Sequence, residues 1–188
     1  MRFLFALLGA MLLAACDSAP KFNGVDITGA GYARELALTD HTGARRTLAD
    51  YRGKVVVVFF GFTQCPDVCP TTLSDMAQVK RKLGADGERL QVLFVTVDPE
   101  RDTPAVLAQY VPGFDPGFVG LYGTPEEIAR AAKEFKVFYQ KVPGKTATSY
   151  TIDHTAGSYV FDKEGRVRLF FRHGQGVDSI VADLKRLL

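Results

Sequence analysis

Residues 54–70 read KVVVVFFGFTQCPDVCP. After one lysine, positions 55–60 are all β-branched or aromatic, with no polar alternation. A strand with one wet face alternates; an unbroken apolar run predicts a strand covered on both faces, inside a sheet with parallel neighbours. Cys65 and Cys69 follow in a loop stiffened by Pro66 and Pro70. From Pro70 the pattern turns helical to Leu83 and stops at Gly84. Proline suits the start of a helix, where its missing N–H would have no partner. The cysteines therefore sit on a strand-to-helix turn beyond the C-terminal end of a strand, where open α/β sheets place their sites.

Working outward, residues 90–97 (LQVLFVTV) predict a second buried strand, 98–104 a loop, and 105–111 a short helix. A strand is expected at 118–122, and a helix from Thr124, as N-cap with Pro125 behind it, to about Phe135. Residues 137–142 suggest a strand and 143–149 a loop. Residues 157–162 and 166–172 form a hairpin around Lys163-Glu164-Gly165. In 177–188, Ile180, Val181, Leu184, Leu187 and Leu188 share a helix face. Upstream, 35–38 alternates weakly and is expected as an edge strand before a turn at 40–43. This order predicts an α/β protein with a central mixed sheet flanked by helices, extra N-terminal strands and a C-terminal hairpin plus helix. With cysteines at the strand–helix junction, that is a thioredoxin-like fold.

The chain has 188 residues, 47% hydrophobic and 23% charged, as expected of one globular domain. A net charge of +2, scattered without Lys/Arg blocks, excludes a nucleic-acid face. The first fifteen residues are different: Arg2, then an apolar run, then Leu13-Ala14-Ala15 before Cys16. This is the shape of an export signal, shorter than the roughly 20 apolar residues that span a bilayer. L-A-A-C resembles a bacterial lipobox, which implies removal of 1–15, lipid on Cys16 and a membrane anchor. Asp17 resembles the sorting signal for the inner membrane, which places the domain in the periplasm. Residues 16–30 are then expected as a lipidated tether and 31–188 as the domain. With Cys16 on lipid, Cys65 and Cys69 are the two cysteines that remain.

Their C-x-x-x-C spacing fits more than one chemistry. Positions i and i+4 on a helix face each other at about 5–6 Å, which suits two thiolates on one metal ion. A disulfide is also open to a pair on a turn, although a staple closing so small a loop adds little stability. A helix N-terminus is expected to lower the thiol pKa, which serves both a nucleophile and a ligand. A third ligand would favour metal. Of the three histidines, His41 lies in a polar turn and His173 at a strand end. His154, in YTIDHTAGSYVFD, precedes the strand that would run beside the cysteine loop. Reductases of this fold usually carry a proline just before that strand; residues 152–159 have none. Asp153 is a candidate to orient the His154 ring by accepting from it, with a turn-forming aspartate as an equal alternative. Asp67, first of all a loop residue, is a candidate to influence the sulfurs or to add an oxygen ligand. Asp98 and Arg101 are expected on the same rim, and Asp102 as a cap of the next helix. A peroxidase reading is disfavoured, because Phe62 stands where peroxiredoxins carry a threonine.

GFTQCPDVCP, VTVDPERDTP and DHTAGSYVFD, in that order, resemble the Sco/SenC family of copper-binding proteins. The resemblance covers residues 31–188. It implies a thioredoxin fold and one copper per monomer, held by Cys65, Cys69 and His154. It also implies work on the dinuclear copper centre of cytochrome c oxidase, as copper donor or as reductant of that centre's cysteines. The expected partner is the subunit carrying that centre; upstream, a copper donor and a thiol reductant are implied without being identified. Many relatives carry histidine where Gln64 stands. Two thiolates and an imidazole are a soft donor set suited to Cu(I), whereas zinc normally takes four ligands.

Overall fold

The computed structural model describes residues 21–146 and 149–188; the signal segment and Cys16 lie outside them. In chain order the elements are β1 (Val25–Asp26), β2 (Ala37–Asp40), β3 (Arg45–Thr47), β4 (Val55–Gly61) and α1 (Val68–Leu83). They continue with β5 (Leu90–Thr96), α2 (Pro104–Tyr110), β6 (Val119–Tyr122), α3 (Pro125–Glu134) and β7 (Tyr139–Pro143). The chain ends in β8 (Tyr150–His154), β9 (Gly157–Phe161), β10 (Val167–Arg172) and α4 (Val177–Leu184). One eight-stranded sheet has the order β1-β10-β9-β4-β5-β6-β2-β3; β7 and β8 pair only with each other.

The apolar run is the centre of this sheet. β4 lies parallel to β5, in register from Val55↔Leu90 to Gly61↔Thr96, and antiparallel to β9. Every residue of β4 and β5 is buried. Phe59, Phe60, Phe94 and Phe161 are fully enclosed; each such side chain contributes about 1.5–3 kcal/mol by leaving water. β5-β4-β9-β10, with α1 after β4 and α4 after β10, is the thioredoxin-like core expected from the sequence. Thr124 caps α3 as expected: its hydroxyl accepts from Glu127 N–H, and the Glu127 carboxylate accepts from Thr124 N–H.

Four details differ from the sequence reading. α1 begins at Val68 rather than Pro70, so Cys69 lies in its first turn; Pro70 is still early enough that no intrahelical bond is lost. β2 is not an edge strand, since it has β6 on one side and β3 on the other. Residues 150–154, for which the sequence reading assigns no element, are a strand, because β7 gives them a partner from Tyr139↔His154 to Pro143↔Tyr150. Finally, part of the stretch expected as tether joins the body. Val25–Asp26 adds a strand beside β10, and the fully buried Asp183 carboxylate accepts from Asn23 N–H at 2.9 Å and Gly24 N–H at 2.8 Å. Among the described residues no helix is long and apolar enough to cross a membrane.

Candidate metal centre

The cysteine half of the site grows out of the end of β4. Gly61 is its last residue, and its carbonyl accepts from Val97 N–H at 2.8 Å. A Cβ on Gly61 would stand 2.7 Å from Cys69 Sγ and 2.9 Å from Phe94 Cε2, so only glycine lets the sulfur lie against the strand end. The next residues are held by Asp102, whose carboxylate accepts from Thr63 N–H at 3.0 Å, Thr63 Oγ1 at 2.6 Å and Thr96 Oγ1 at 2.6 Å. Asp102 is buried. The reading of it as a helix cap is corrected: Thr103 caps α2, its side chain accepting from Val106 N–H. Asp102 instead pins the cysteine loop to β5, because three inward donors need an acceptor there. Cys69 is buried and Cys65 half-buried, and both are free thiols.

The histidine half comes from the ribbon. His154 ends β8, and its Nε2 lies 3.5 Å from Cys69 Sγ. Phe59 and Phe62 meet its ring edge-on, at centroid distances of 6.1 and 5.8 Å. Its Nδ1 is 3.1 Å from the carbonyl oxygen of Thr155. A carbonyl only accepts, so Nδ1 carries the proton and Nε2 turns its lone pair toward the sulfur. The orienting acceptor is thus a backbone carbonyl rather than the candidate Asp153 carboxylate, which is exposed. A strand alternates its side chains, so neighbours on β8 point to opposite faces, and Asp153 cannot share the His154 face.

Burial sets the protonation of the pair. It pushes the Cys69 thiol far above its ordinary range, with a backbone hydrogen bond from Phe62 pulling the other way. The expected depression by the helix N-terminus is therefore overridden at Cys69, since desolvation of a thiolate in an apolar enclosure outweighs the helix dipole. Burial lowers the His154 pKa, against the Thr155 carbonyl and the Asp153 charge, and so favours neutral imidazole, the form that ligates. One ligand atom from each of Cys65, Cys69 and His154 lies within 4.8 Å of the others. Cys65 and His154 line a hollow of about 320 Å³ together with Phe62, Pro66, Val68 and Ile152 among others, and Cys69 lies buried behind it. Asp67 lines that hollow and takes the N-cap position of α1, where its carboxylate accepts, among the described residues, from Thr71 Oγ1 at 3.3 Å. Neither Asp67 nor Asp153 belongs to the close donor set.

The remaining histidines lie elsewhere. His41 Nδ1 accepts from Gly120 N–H at 3.0 Å, and exposed His173 lies 3.4 Å from Thr72 Oγ1. Gln64 Oε1 accepts from Arg101 Nη1 at 3.1 Å. The roles of Gly61, Thr63, Phe59 and Thr96 escaped the sequence reading. A glycine ending an otherwise β-branched strand was the available signal for the first; the others depend on contacts between distant segments.

The SCO1/SenC family model matches residues 27–188. "Protein SCO2 homolog, mitochondrial" of Mus musculus is 38% identical over 154 residues, 81% of this chain and 60% of that protein. The chain thus spans about three fifths of the length of that relative. A solved structure of Bradyrhizobium japonicum ScoI with copper bound is 43% identical, covers 82% of this chain and 98% of its own, and superposes with a TM-score of 0.75. The apo Sco1 solution structure from Thermus thermophilus is 42% identical, covers 91% and 99%, and gives a TM-score of 0.78. A strand-end cysteine pair facing a histidine, on this fold and with this extent of match, makes the chain a member of the SCO1/SenC family.

Proposed function

We propose that this protein is a copper carrier. It takes one copper ion as cargo on Cys65, Cys69 and His154, and delivers it during assembly of the dinuclear copper centre of cytochrome c oxidase. The observation that carries the reading is the convergence of two thiols and a neutral imidazole within 4.8 Å. Three soft donors suit Cu(I), and a zinc site would normally add a fourth. The similar ScoI of Bradyrhizobium japonicum was solved with copper bound. Loading displaces the thiol protons, and the apolar walls around Cys69 keep competing water from the sulfur.

The L-A-A-C sequence at 13–16 supports an anchor through lipid on Cys16, with residues 1–15 removed and the domain facing the periplasm from the inner membrane. The partner under this reading is the copper-centre subunit of the oxidase. The alternative is a reductase in which the Cys65 and Cys69 thiols become a disulfide while a target disulfide becomes two thiols. The histidine that faces the pair weighs against it, because a dithiol reductase has no need of an imidazole 3.5 Å from its buried sulfur.

The test is an anaerobic Cu(I) titration of the reduced, detergent-solubilised chain against a competing chelator. One equivalent is expected to bind, with loss of stoichiometric binding in Cys65→Ser and a weakened complex in His154→Ala. Equal affinity in wild type and His154→Ala would remove the histidine. Rapid reduction of a disulfide substrate by copper-free His154→Ala would shift the function to the reductase.

A further inference from the structure

The ribbon that carries His154 shares no strand pairing with the main sheet; two residues join its His154 end to β9 of that sheet, and side chains tie down its Tyr150 end. One residue joins all the parts concerned. Arg101, in the loop after β5, donates through Nε to the Asp98 carboxylate. Its Nη1 donates to Gln64 Oε1, in the cysteine loop, at 3.1 Å and to the Tyr150 carbonyl, at the start of β8, at 2.9 Å. The guanidinium carbon stands 3.6 Å from the Tyr150 ring centroid and 5.8 Å from that of Phe62. Tyr150 then closes the circuit, its hydroxyl donating to Asp98 Oδ1 at 2.8 Å.

We infer that Arg101 is the positioning residue for the third copper ligand. Resting on the copper-carrier reading, it makes Asp98, Gln64 and Tyr150 one rigid unit and thereby sets the distance from His154 to the thiols. The fit is particular to arginine. A planar fork can donate in three directions while stacking on a ring; a lysine ammonium has the charge but neither the fork nor the flat face. Asp98 is buried and its side chain has no exposed surface, so the anchor end of the latch does not swing. The outer tie between the same segments, Lys141 to Glu100 at 2.6 Å, is exposed and contributes far less to placement. Tyr150 begins β8 and His154 ends it. Extended backbone between them is stiff at about 3.3 Å per residue, so fixing one end aims the other.

The full chain in detergent is loaded with copper. Two quantities are read: Cu(I) affinity by competition, and nitrogen hyperfine coupling in the spectrum of the Cu(II) form, which reports the imidazole. Arg101→Lys is expected to keep one copper per chain, to lose about 10–100-fold in affinity and to weaken the nitrogen coupling, as loss of an outer partner does. In Arg101→Lys/His154→Ala the affinity should be no lower than in His154→Ala alone, because the arginine acts through the histidine. Tyr150→Phe, which keeps the ring and loses only the hydroxyl, should shift both quantities the same way by less, and serves if the lysine variant fails to fold. Unchanged nitrogen coupling in Arg101→Lys and Tyr150→Phe, or losses that multiply in the double variant, would overturn the inference. Wild type lacking nitrogen coupling and matching His154→Ala in affinity would overturn the ligand set itself.

Discussion

Cys69 and His154 reach the same point from differently built regions. Cys69 stands in the first turn of a sixteen-residue helix, directly after the central strand, with its sulfur against Gly61 of that strand. His154 stands at the end of a five-residue strand whose backbone pairs only with β7. The first region is over-determined by sheet pairing on both sides of β4, by helix packing and by the Asp102 network. In the second, the ribbon has one buried hydrophobic anchor, Ile152, and a set of polar ties through Tyr150 and Arg101. A carrier must hold its ion and release it. Fixing the thiols in the core while hanging the third donor on a separately tied ribbon lets one ligand be placed without reshaping the other two.

The largest effect that separates the regions is expected from Asp102→Ala. It strands three donors, Thr63 N–H and the hydroxyls of Thr63 and Thr96, inside the protein. Loss of hydrogen bonds to a carboxylate and the exposed need of their donors cost roughly 3 kcal/mol together. Urea unfolding measures it; a change below about 1 kcal/mol would mean that the cysteine loop is held without this network. The pH dependence gives a second check. Burial raises the Asp102 pKa, so the folded chain binds that proton more tightly than the unfolded chain. The contribution of Asp102 to stability should therefore fall as pH rises from about 3.9 through the folded value and stay level above it, a step that shows as the difference between the wild-type and alanine-variant profiles.

Gly61→Ala comes next. Its Cβ would press on the Cys69 sulfur at 2.7 Å and on Phe59 at 3.0 Å. Overpacking of this kind costs about 1–3 kcal/mol. The thiol should move while the Tyr150–Asp98 tie stays, so copper affinity falls with an undisturbed ribbon. Retained affinity and stability would show that the strand end relaxes freely, against the contrast between the two regions.

What could be read from the sequence follows the same division. KVVVVFF identified the central strand because composition alone reports double-sided burial, and the Pro-bounded cysteine loop identified the turn. His154 was legible because it precedes the strand that borders β4. Of the ribbon, only β7 was legible, as the strand expected at 137–142. Residues 150–154 alternate too briefly to announce a strand, and their partner, β7, is mostly exposed. Asp102 was misread as a cap because a D-T-P sequence before a helix offers two capping candidates, and only tertiary contact shows which side chain turns inward. The thiol pKa was misjudged for a related reason: the helix start is local and visible, whereas the apolar enclosure of Cys69 is assembled from distant segments.

The smallest effect is expected at Asp153, next to the histidine in sequence yet outside its bonding. The His154 Nδ1 proton goes to the Thr155 carbonyl, an acceptor that no side-chain substitution removes. The Asp153 carboxylate acts on the ring only through space, as the weakest of the three influences on its pKa. Exposed charge in water is screened. Asp153→Asn should leave Cu(I) affinity at neutral pH within about twofold of wild type, whereas loss of a true orienting partner would cost about 10–100-fold. A loss in that larger range would return the orienting role to Asp153 and imply that the loaded state turns the ring away from Thr155. A loss within twofold leaves the ring held by backbone at one nitrogen, so that the placement of the other nitrogen depends on where the ribbon sits, and on Arg101.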